Sequence, residues 1–307
     1  MKLSVVSTLY NSKPFLKSFL KEITESIAFL EITDYQLIFV NDGSPDDSLE
    51  YLLERKGKLP QIKIIDLSRN FGHHYAMQIG LQEAKGDFIF LIDNDLEVSP
   101  SFLIDCFKVM NEDDNIDVVY GFQEKRKGKI IESLGGKLFW WLLSKFSDVE
   151  IPKNMLTERL MKSSYLEKFL TLGDSNLFLG GMMHWVGFNQ VGIPVKKKGR
   201  TGKSTYDTQK RIALMVQAIA SFSGKPLVHL FYTGLTITFG SLLASLYLVL
   251  KKIYLGESVQ LGWTSLVVIN VLILGVITTF LGIIGIYIYK IFNQVQNRPN
   301  AIIRKIY

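Results

Sequence analysis

Short apolar runs alternate with amphipathic stretches over the first 120 residues of the chain. The runs are LSVVSTL, YQLIFVND, IKIIDLS and FIFLID. Between them lie Pro14 to Leu30, Asp46 to Lys56 and a segment near His74 to Ala84, with apolar positions at helical spacing. Strands that are apolar throughout and separated by helices predict a mostly parallel sheet covered on both faces, in an α/β domain. In such a sheet ligands bind beyond the carboxyl ends of the strands. The polar residues collect there: Tyr10 and Asn11 after the first run, Asn41 to Ser44 after the second, Arg69 to His73 after the third, and Asp93 to Glu97 after the fourth.

Past Val119 the pattern becomes basic and aromatic. KLFWWLLSK at Lys137 to Lys145, and a stripe through Ile212, Met215, Ile219 and Phe222, fit helices lying in a membrane interface and equally fit helices packed on the sheet. The final third is different in kind. Leu227 to Leu250 and Leu266 to Tyr289 contain no Asp, Glu, Lys or Arg, and at about 1.5 Å per residue each is long enough for a hydrocarbon core of about 30 Å. They predict a two-helix transmembrane hairpin turning at Lys251 to Ser265. Lys210, Arg211 and Lys225 before the hairpin and Lys290, Arg298, Arg304 and Lys305 after it outnumber Lys251 and Lys252 in the turn, so both termini are expected in the cytoplasm, beneath the inner (plasma) membrane. The expected layout is a catalytic domain over 1–205, an interfacial helix over 206–225, the hairpin over 226–290 and a basic tail over 291–307.

Composition refines this only slightly. A net charge of +6 suits an anionic membrane surface or phosphate-bearing ligands, and without a dense basic recognition helix or arm nucleic acid is not expected as a partner. The single cysteine, Cys106, excludes an intramolecular disulfide and agrees with a reducing compartment. The start, MKLSVVSTLYN, has no apolar run long enough for a signal peptide and reads as a first strand, so nothing is expected to export the main domain.

The chemistry concentrates in FIFLIDNDLEVSP. Residues two apart on an extended chain face the same way, so Asp93, Asp95 and Glu97 are expected to converge at the sheet edge. Such a group would share a hard dication, Mg2+ or Mn2+, with ligand phosphates; the alternative is a solvated turn. In VNDGSPDDS, Asp42 is placed to accept hydrogen bonds from a base or ribose, with Gly43 allowing a close turn and Ser44 or Asp46 open to a helix-cap role. In LSRNFGHH, Arg69 suits a phosphate and Gly72 a close backbone approach. His73 and His74 are adjacent, a poor spacing for metal ligands, and read as exposed or structural.

The series TLYN, VNDGS, LSRNFGHHYAMQIGL, AKGDFIFLIDNDLEVSP and GRTGKSTY, followed by two apolar spans, resembles the family 2 (GT-A) glycosyltransferases of the polyprenyl-phosphate type, similar in layout to dolichol-phosphate-mannose synthase and to bacterial polyisoprenyl-phosphate glycosyltransferases. The resemblance implies a GT-A (Rossmann-like) domain. It implies an inverting, metal-dependent transfer from a nucleotide-diphosphate sugar, UDP-sugar by the bacterial-looking relatives, to a polyprenyl (undecaprenyl) phosphate, for modification of a cell-envelope glycan. In that reading Leu9, Tyr10, Asn11, Asp42, Arg69, Asn70, Gly72, Asp93, Asn94, Lys203 and Ser204 hold the donor nucleotide. Asp93 and Asp95 hold the metal, with Glu97 where the family often has Gln. Arg200, Lys203 and Ser204 belong to a loop that closes over phosphates, and Arg126 and Lys137 meet the acceptor phosphate. Asp95, Glu158, Arg159 and Arg200 form the catalytic group, and relatives of this type assemble as homo-oligomers, by resemblance tetramers.

The family pattern is broken in three places. The acidic residue after Asn11 is replaced by Ser12, Gln123 stands where Arg is usual, and LTERLM replaces GDFRLM, putting Thr157 at the position of the Asp often proposed as base. A phosphate monoester has a second pKa of about 6, so the acceptor is already largely anionic and Glu158 is expected only to support the reaction. Gly275, Thr278, Thr279, Gly282 and Gly285 recur at spacings that let helices approach, either another chain or the other arm of the hairpin. The competing functions are a family 2 enzyme extending a lipid-linked glycan, against which stand the small pore that two spans allow and the missing Q-x-x-R-W signature, and a two-span accessory protein with an inactive sheet, which would have lost the acidic cluster.

Overall fold

The computed structural model describes residues 1–123, 152, 154–174, 179–197, 224–255, 263–296 and 298–307. KLFWWLLSK, the Tyr206 to Phe222 stripe, and Arg126, Lys137, Arg200, Lys203 and Ser204 lie outside the described residues.

Four strands follow the four apolar runs: β1 (Lys2–Leu9), β2 (Asp34–Asn41), β3 (Ile62–Leu67) and β4 (Phe88–Leu91). β1 pairs in parallel with β2 on one side and with β4 on the other, and β2 pairs in parallel with β3. The connecting helices are α1 (Lys13–Phe29), α2 (Ser48–Lys56) and α3 (His73–Gln82), each within two residues of the expected start. After α4 (Phe102–Met110) the sheet continues through β5 (Val118–Phe122), β6 (Met155–Lys162) and, after two short helices, α5 (Ser163–Leu170) and α6 (Leu179–Trp185), β7 (Gln190–Pro194). β6 runs antiparallel between β4 and β5, and β7 pairs in parallel with β5.

Burial on both faces explains the uninterrupted apolar strands. Leu3, Val5 and Leu9 of β1 pack with Leu16, Phe19 and Ile23 of α1 and Phe102, Leu103 and Cys106 of α4, whereas Val6 packs with Ala76 and Met77 of α3 and with Tyr165, Leu166 and Phe169 of α5. Cys106 is thus a buried core residue, and burial pushes its thiol pKa well up.

The last segment adds a strand that was not expected. Within the basic tail, β8 (Ile303–Ile306) pairs antiparallel with β3 and completes an eight-stranded sheet of order β7-β5-β6-β4-β1-β2-β3-β8. Two basic residues between two isoleucines give too short a pattern to read, but β3 leaves an edge of unpaired backbone groups that such a strand satisfies.

Between the sheet's seventh and eighth strands in the chain lie two long helices, α7 (Lys225–Leu255, 31 residues) and α8 (Trp263–Gln296, 34 residues). Counting only the described residues, no helix is long and apolar enough to cross a membrane, so that count does not support the expected pair of spans. The helical backbone nevertheless covers both apolar runs of the sequence, and its described side chains include Phe231, Phe239, Tyr247, Leu281 and Ile288 with more than half of their surface uncovered.

Candidate functional site

β1 sends the chain to β2 on one side and takes β4 on the other, so the loops after β1 and β4 diverge and leave a crevice at the strand ends. Side chains knit this crevice into a ring. Asn94, buried just past β4, donates Nδ2 to the Thr8 carbonyl at 2.6 Å. Thr8 Oγ1 meets His73 Nδ1 at 3.0 Å, and His73 Nε2 lies 3.3 Å from Asp93 Oδ1. Burial lowers the His73 pKa, but Asp93, Glu158 and Asp42 outweigh it and the pKa ends above its ordinary value. For Asp93, burial opposes ionisation and the facing His73 more than offsets it, holding the carboxyl below its usual range. His73 is exposed, as its spacing suggested, and its ring still bridges Thr8 and Asp93 at the crevice. The legible signal was its place as the first residue of a helix capped by Gly72, beside the strand ends.

The acidic segment does not extend the strand. β4 ends at Leu91, and Leu96 adopts φ 59, so the two-residue alternation that would align Asp93, Asp95 and Glu97 stops before it reaches them. Asp95 Oδ1 accepts the Glu97 amide at 3.0 Å, and Glu97 Oε2 takes the ammonium of Lys197 at 3.0 Å. Among the described residues no group of three His, Cys, Asp or Glu is arranged to hold a metal ion, so Glu97 is not brought in as a third ligand. The pair Asp93 and Asp95 still suits a hard cation. Asp93 Oδ1 is buried with only the His73 ring beside it, and burial together with Asp93 and Glu97 pushes the Asp95 pKa up, the condition of a carboxylate short of positive charge.

Lys197 was not expected here. It continues the extended face of Ile193 and Val195, whose amide bonds the Phe122 carbonyl, and period two from β7 would have pointed to it among three consecutive lysines. Burial lowers its pKa, but Glu158, Glu97 and Asp93 outweigh this and raise it, so the ammonium stays charged among the carboxylates. Glu158 is 2% exposed, and burial with Asp93 beside it raises its pKa to about 7, against the opposing pull of Lys197.

Arg159, next to it on β6, points the other way, since Leu160 joins the core under α1 and Met161 the core under α3. It is fully buried, donates Nε to the Thr157 carbonyl and Nη2 to the Leu156 carbonyl, each at 3.0 Å, and leaves Nη1 without a partner among the described residues. The structure thus separates Glu158 and Arg159 rather than pairing them in one catalytic group.

On the β2 and β3 side, Asp42 spends both carboxylate oxygens on the next loop, accepting the Phe71 amide at 2.7 Å and the Gly72 amide at 3.0 Å. Gly43 has φ +61, and a Cβ there would come within 2.7 Å of the Asn70 nitrogen, so only glycine lets the two loops touch. Arg69 lies 4.0 Å over the Phe71 ring and is exposed with Asn70, while Tyr10 is half exposed. Leu9 is 0% exposed inside the core, so its side chain does not reach the crevice and only its carbonyl, which accepts the Asp42 amide, faces this loop. Asp46 accepts the amide and hydroxyl of Ser48 at the start of α2, so its role is that of a cap.

Comparison with known proteins agrees with this geometry. A family model described as "Glycosyl transferase family 2" matches residues 4–168. A Bacillus subtilis protein named as an uncharacterized glycosyltransferase is 34% identical over 99% of this chain and 94% of its own length. A Shigella flexneri protein named "SfII prophage-derived bactoprenol glucosyl transferase" is 30% identical over 99% of this chain and 98% of its own length. Among solved structures, the Pyrobaculum calidifontis mannosyltransferase in complex with GDP-Man and Mn2+ is similar at TM-score 0.50 and 17% identity, covering 96% of this chain and 86% of that one.

Proposed function

The chain belongs to glycosyl transferase family 2 and is a glycosyltransferase, and from that premise we propose that it transfers a sugar, with inversion, from a nucleotide-diphosphate sugar to a polyprenyl phosphate held in a membrane. The observation that carries the reading is the strand-end crevice, where His73 joins Asp93 to the loop that Asp42 holds, in a chain that aligns end to end with a bactoprenol glucosyl transferase.

In this reading Asp42 acts on the nucleoside through the loop it holds, Phe71 to Gly72, while Tyr10 and Arg69 offer exposed faces to the base and a phosphate. Asp93 and Asp95 would hold Mg2+ or Mn2+, which when bound neutralises charge on the leaving diphosphate. His73 keeps Asp93 ionised and fixed in place through Thr8. Lys197 offsets the surrounding carboxylates, so two phosphate groups can approach. Glu158, with a pKa of about 7, holds a proton part of the time and lowers repulsion toward the acceptor phosphate, which is itself largely dianionic and needs little base.

The same reading places α7 and α8 in the membrane as an out-and-back pair. Their apolar runs are long enough for the crossing, and β8 returns to the edge of the catalytic sheet, so the sheet and the chain that follows α8 share one side, the cytoplasmic side by the lysine and arginine count. Among the described residues nothing lies within 4 Å of where a side chain would begin at Gly282 or Gly285, which leaves room for contact with another copy of the chain. Nucleotide release measured with a panel of UDP-, GDP- and dTDP-sugars, with undecaprenyl phosphate and with or without chelator, tests the proposal. Release that needs both lipid and dication is expected; release that ignores the lipid would sink it.

A further inference from the structure

One hydrogen-bonded line crosses all the strand ends on the nucleotide side of the crevice and finishes on the last strand. The Asn11 amide donates to Ser44 Oγ at 2.8 Å, and the Ser44 amide donates to Asn41 Oδ1 at 3.1 Å. Asn41 Nδ2 donates to Asp66 Oδ1 at 2.8 Å, and Arg304 donates from Nη1 to Asp66 Oδ2 at 3.3 Å and from Nη2 to the Ser68 carbonyl at 2.6 Å. The line therefore runs from the loop after β1, through the turn after β2 and the end of β3, to β8.

Asp66 makes this line more than a row of contacts. Its side chain is 3% exposed while that of Arg304 is 61% exposed. A surface arginine paired with a surface acid contributes little. Here removing the arginine strands a buried carboxylate, and that carboxylate's nearest relief is to pull on Asn41 or to admit water. Asn41 in turn fixes the amide of Ser44, one residue beyond Gly43, whose turn is pressed against Asn70. The segment that brings Arg304 into place is itself fastened. Gln294 at the end of α8 donates to the Gly173 carbonyl, Asn300 donates to Gln78 Oε1 and the Asp174 carbonyl, and the Ser68 amide donates to the Ile302 carbonyl.

We propose that Arg304 is a positioning residue for donor binding, acting through Asp66 and Asn41 on the 41–44 turn, so that strand β8 ties the end of helix α8 to the nucleotide pocket. The proposal rests on the donor-site reading given above. Through this tie, a shift at the base of the apolar helix pair reaches the donor loop without any contact to the acceptor.

The test uses the full chain in detergent, with UDP and then GDP as probes. In Arg304→Ala the nucleotide affinity falls about tenfold, since a hydrogen-bonded charge is left unpaired, the donor KM rises with it, and the acceptor KM and the extent of β8 pairing to β3, read by amide exchange at Ile64, stay unchanged. Arg304→Lys keeps the charge, loses the fork and recovers part of the loss. Arg304→Ala combined with Asn41→Ala is no worse than Asn41→Ala alone. Amide exchange at Ser44 accelerates in Arg304→Ala even without nucleotide. Wild-type affinity retained in Arg304→Ala, or losses that add in the double variant, would overturn the proposal. A wild-type chain that binds no nucleoside diphosphate overturns the donor-site reading and the role given to Arg304 with it, whereas unchanged exchange at Ser44 overturns the line itself whatever the chain binds.

Discussion

The ammonium of Lys197 lies 3.0 Å from Glu97 Oε2, with both side chains less than one third exposed. This single pair decides how the acidic end of β4 is used. Glu97 is spent on an internal cation, so the proposed metal site falls to Asp93 and Asp95 alone. Lys197→Met removes the cation from the half-buried Glu97 carboxylate, a loss of about 1 to 3 kcal/mol in stability. Thermal melts of Lys197→Met, Glu97→Gln and the double variant check this: the double variant should melt above Lys197→Met, and strict additivity would refute the pairing.

Asp95→Asn and Glu158→Gln separate the two carboxylate roles. Asp95→Asn should lower turnover at least about a hundredfold, as expected for a group that stabilises developing charge. Glu158→Gln should cost less than about tenfold, since the amide mimics the protonated acid and the acceptor is already anionic. Equal losses would mean that Glu158 is a required base.

Glu158 also sets a pH dependence of stability in the metal-free protein. Its folded pKa of about 7 lies above its ordinary 4.5, so the folded state binds the proton more tightly, and stability present at low pH is lost as pH rises from about 4.5 through 7. His73, whose pKa is also raised, acts in the same sense. Melting curves at pH 5.5 and 8 should show the lower pH to be the more stable, and Glu158→Gln should flatten the difference. A rise in stability toward pH 8 would contradict the burial of Glu158 beside Asp93.

Gly43→Ala forces a side chain to adopt φ +61 and to meet the Asn70 nitrogen at 2.7 Å. The cost is about 1 to 3 kcal/mol of local strain, borne by the loop pair that Asp42 holds together. Nucleotide affinity should fall by more than the melting temperature suggests, and an unchanged affinity would show that the 41–44 turn does not contact the donor.

Much of this was legible in the sequence wherever one pattern covered six or more residues. β1 to β3, the three crossover helices and the crevice at the strand ends followed from uninterrupted apolar runs and helical spacing. β5 to β8 did not. β6 carries Glu158 and Arg159 in its middle, a signature that reads as a loop until the antiparallel pairing with β4 and β5 is known. Composition and place put Asp42, Asp93 and Asp95 at the strand ends, as the structure has them, but the expected alignment of Glu97 with them is absent because β4 ends at Leu91 and Leu96 is left-handed, which leaves no mark in the sequence. Helix start and strand period place His73 and Lys197 near the site, but their partners, Asp93 and Glu97, lie 20 and 100 residues away and that pairing is not written in any local pattern.

The central claim is a sugar transferred to a membrane phosphate, and the lipid product tests it most directly. Membranes carrying the full chain are incubated with undecaprenyl phosphate, Mg2+ or Mn2+ and each nucleotide sugar in turn, and the extracted lipids are weighed by mass spectrometry. The expected result is a new sugar-phosphate lipid from one donor, abolished by chelator and by Asp95→Asn. No lipid product from any donor, with the wild-type chain folded and nucleotide-bound, would contradict the account.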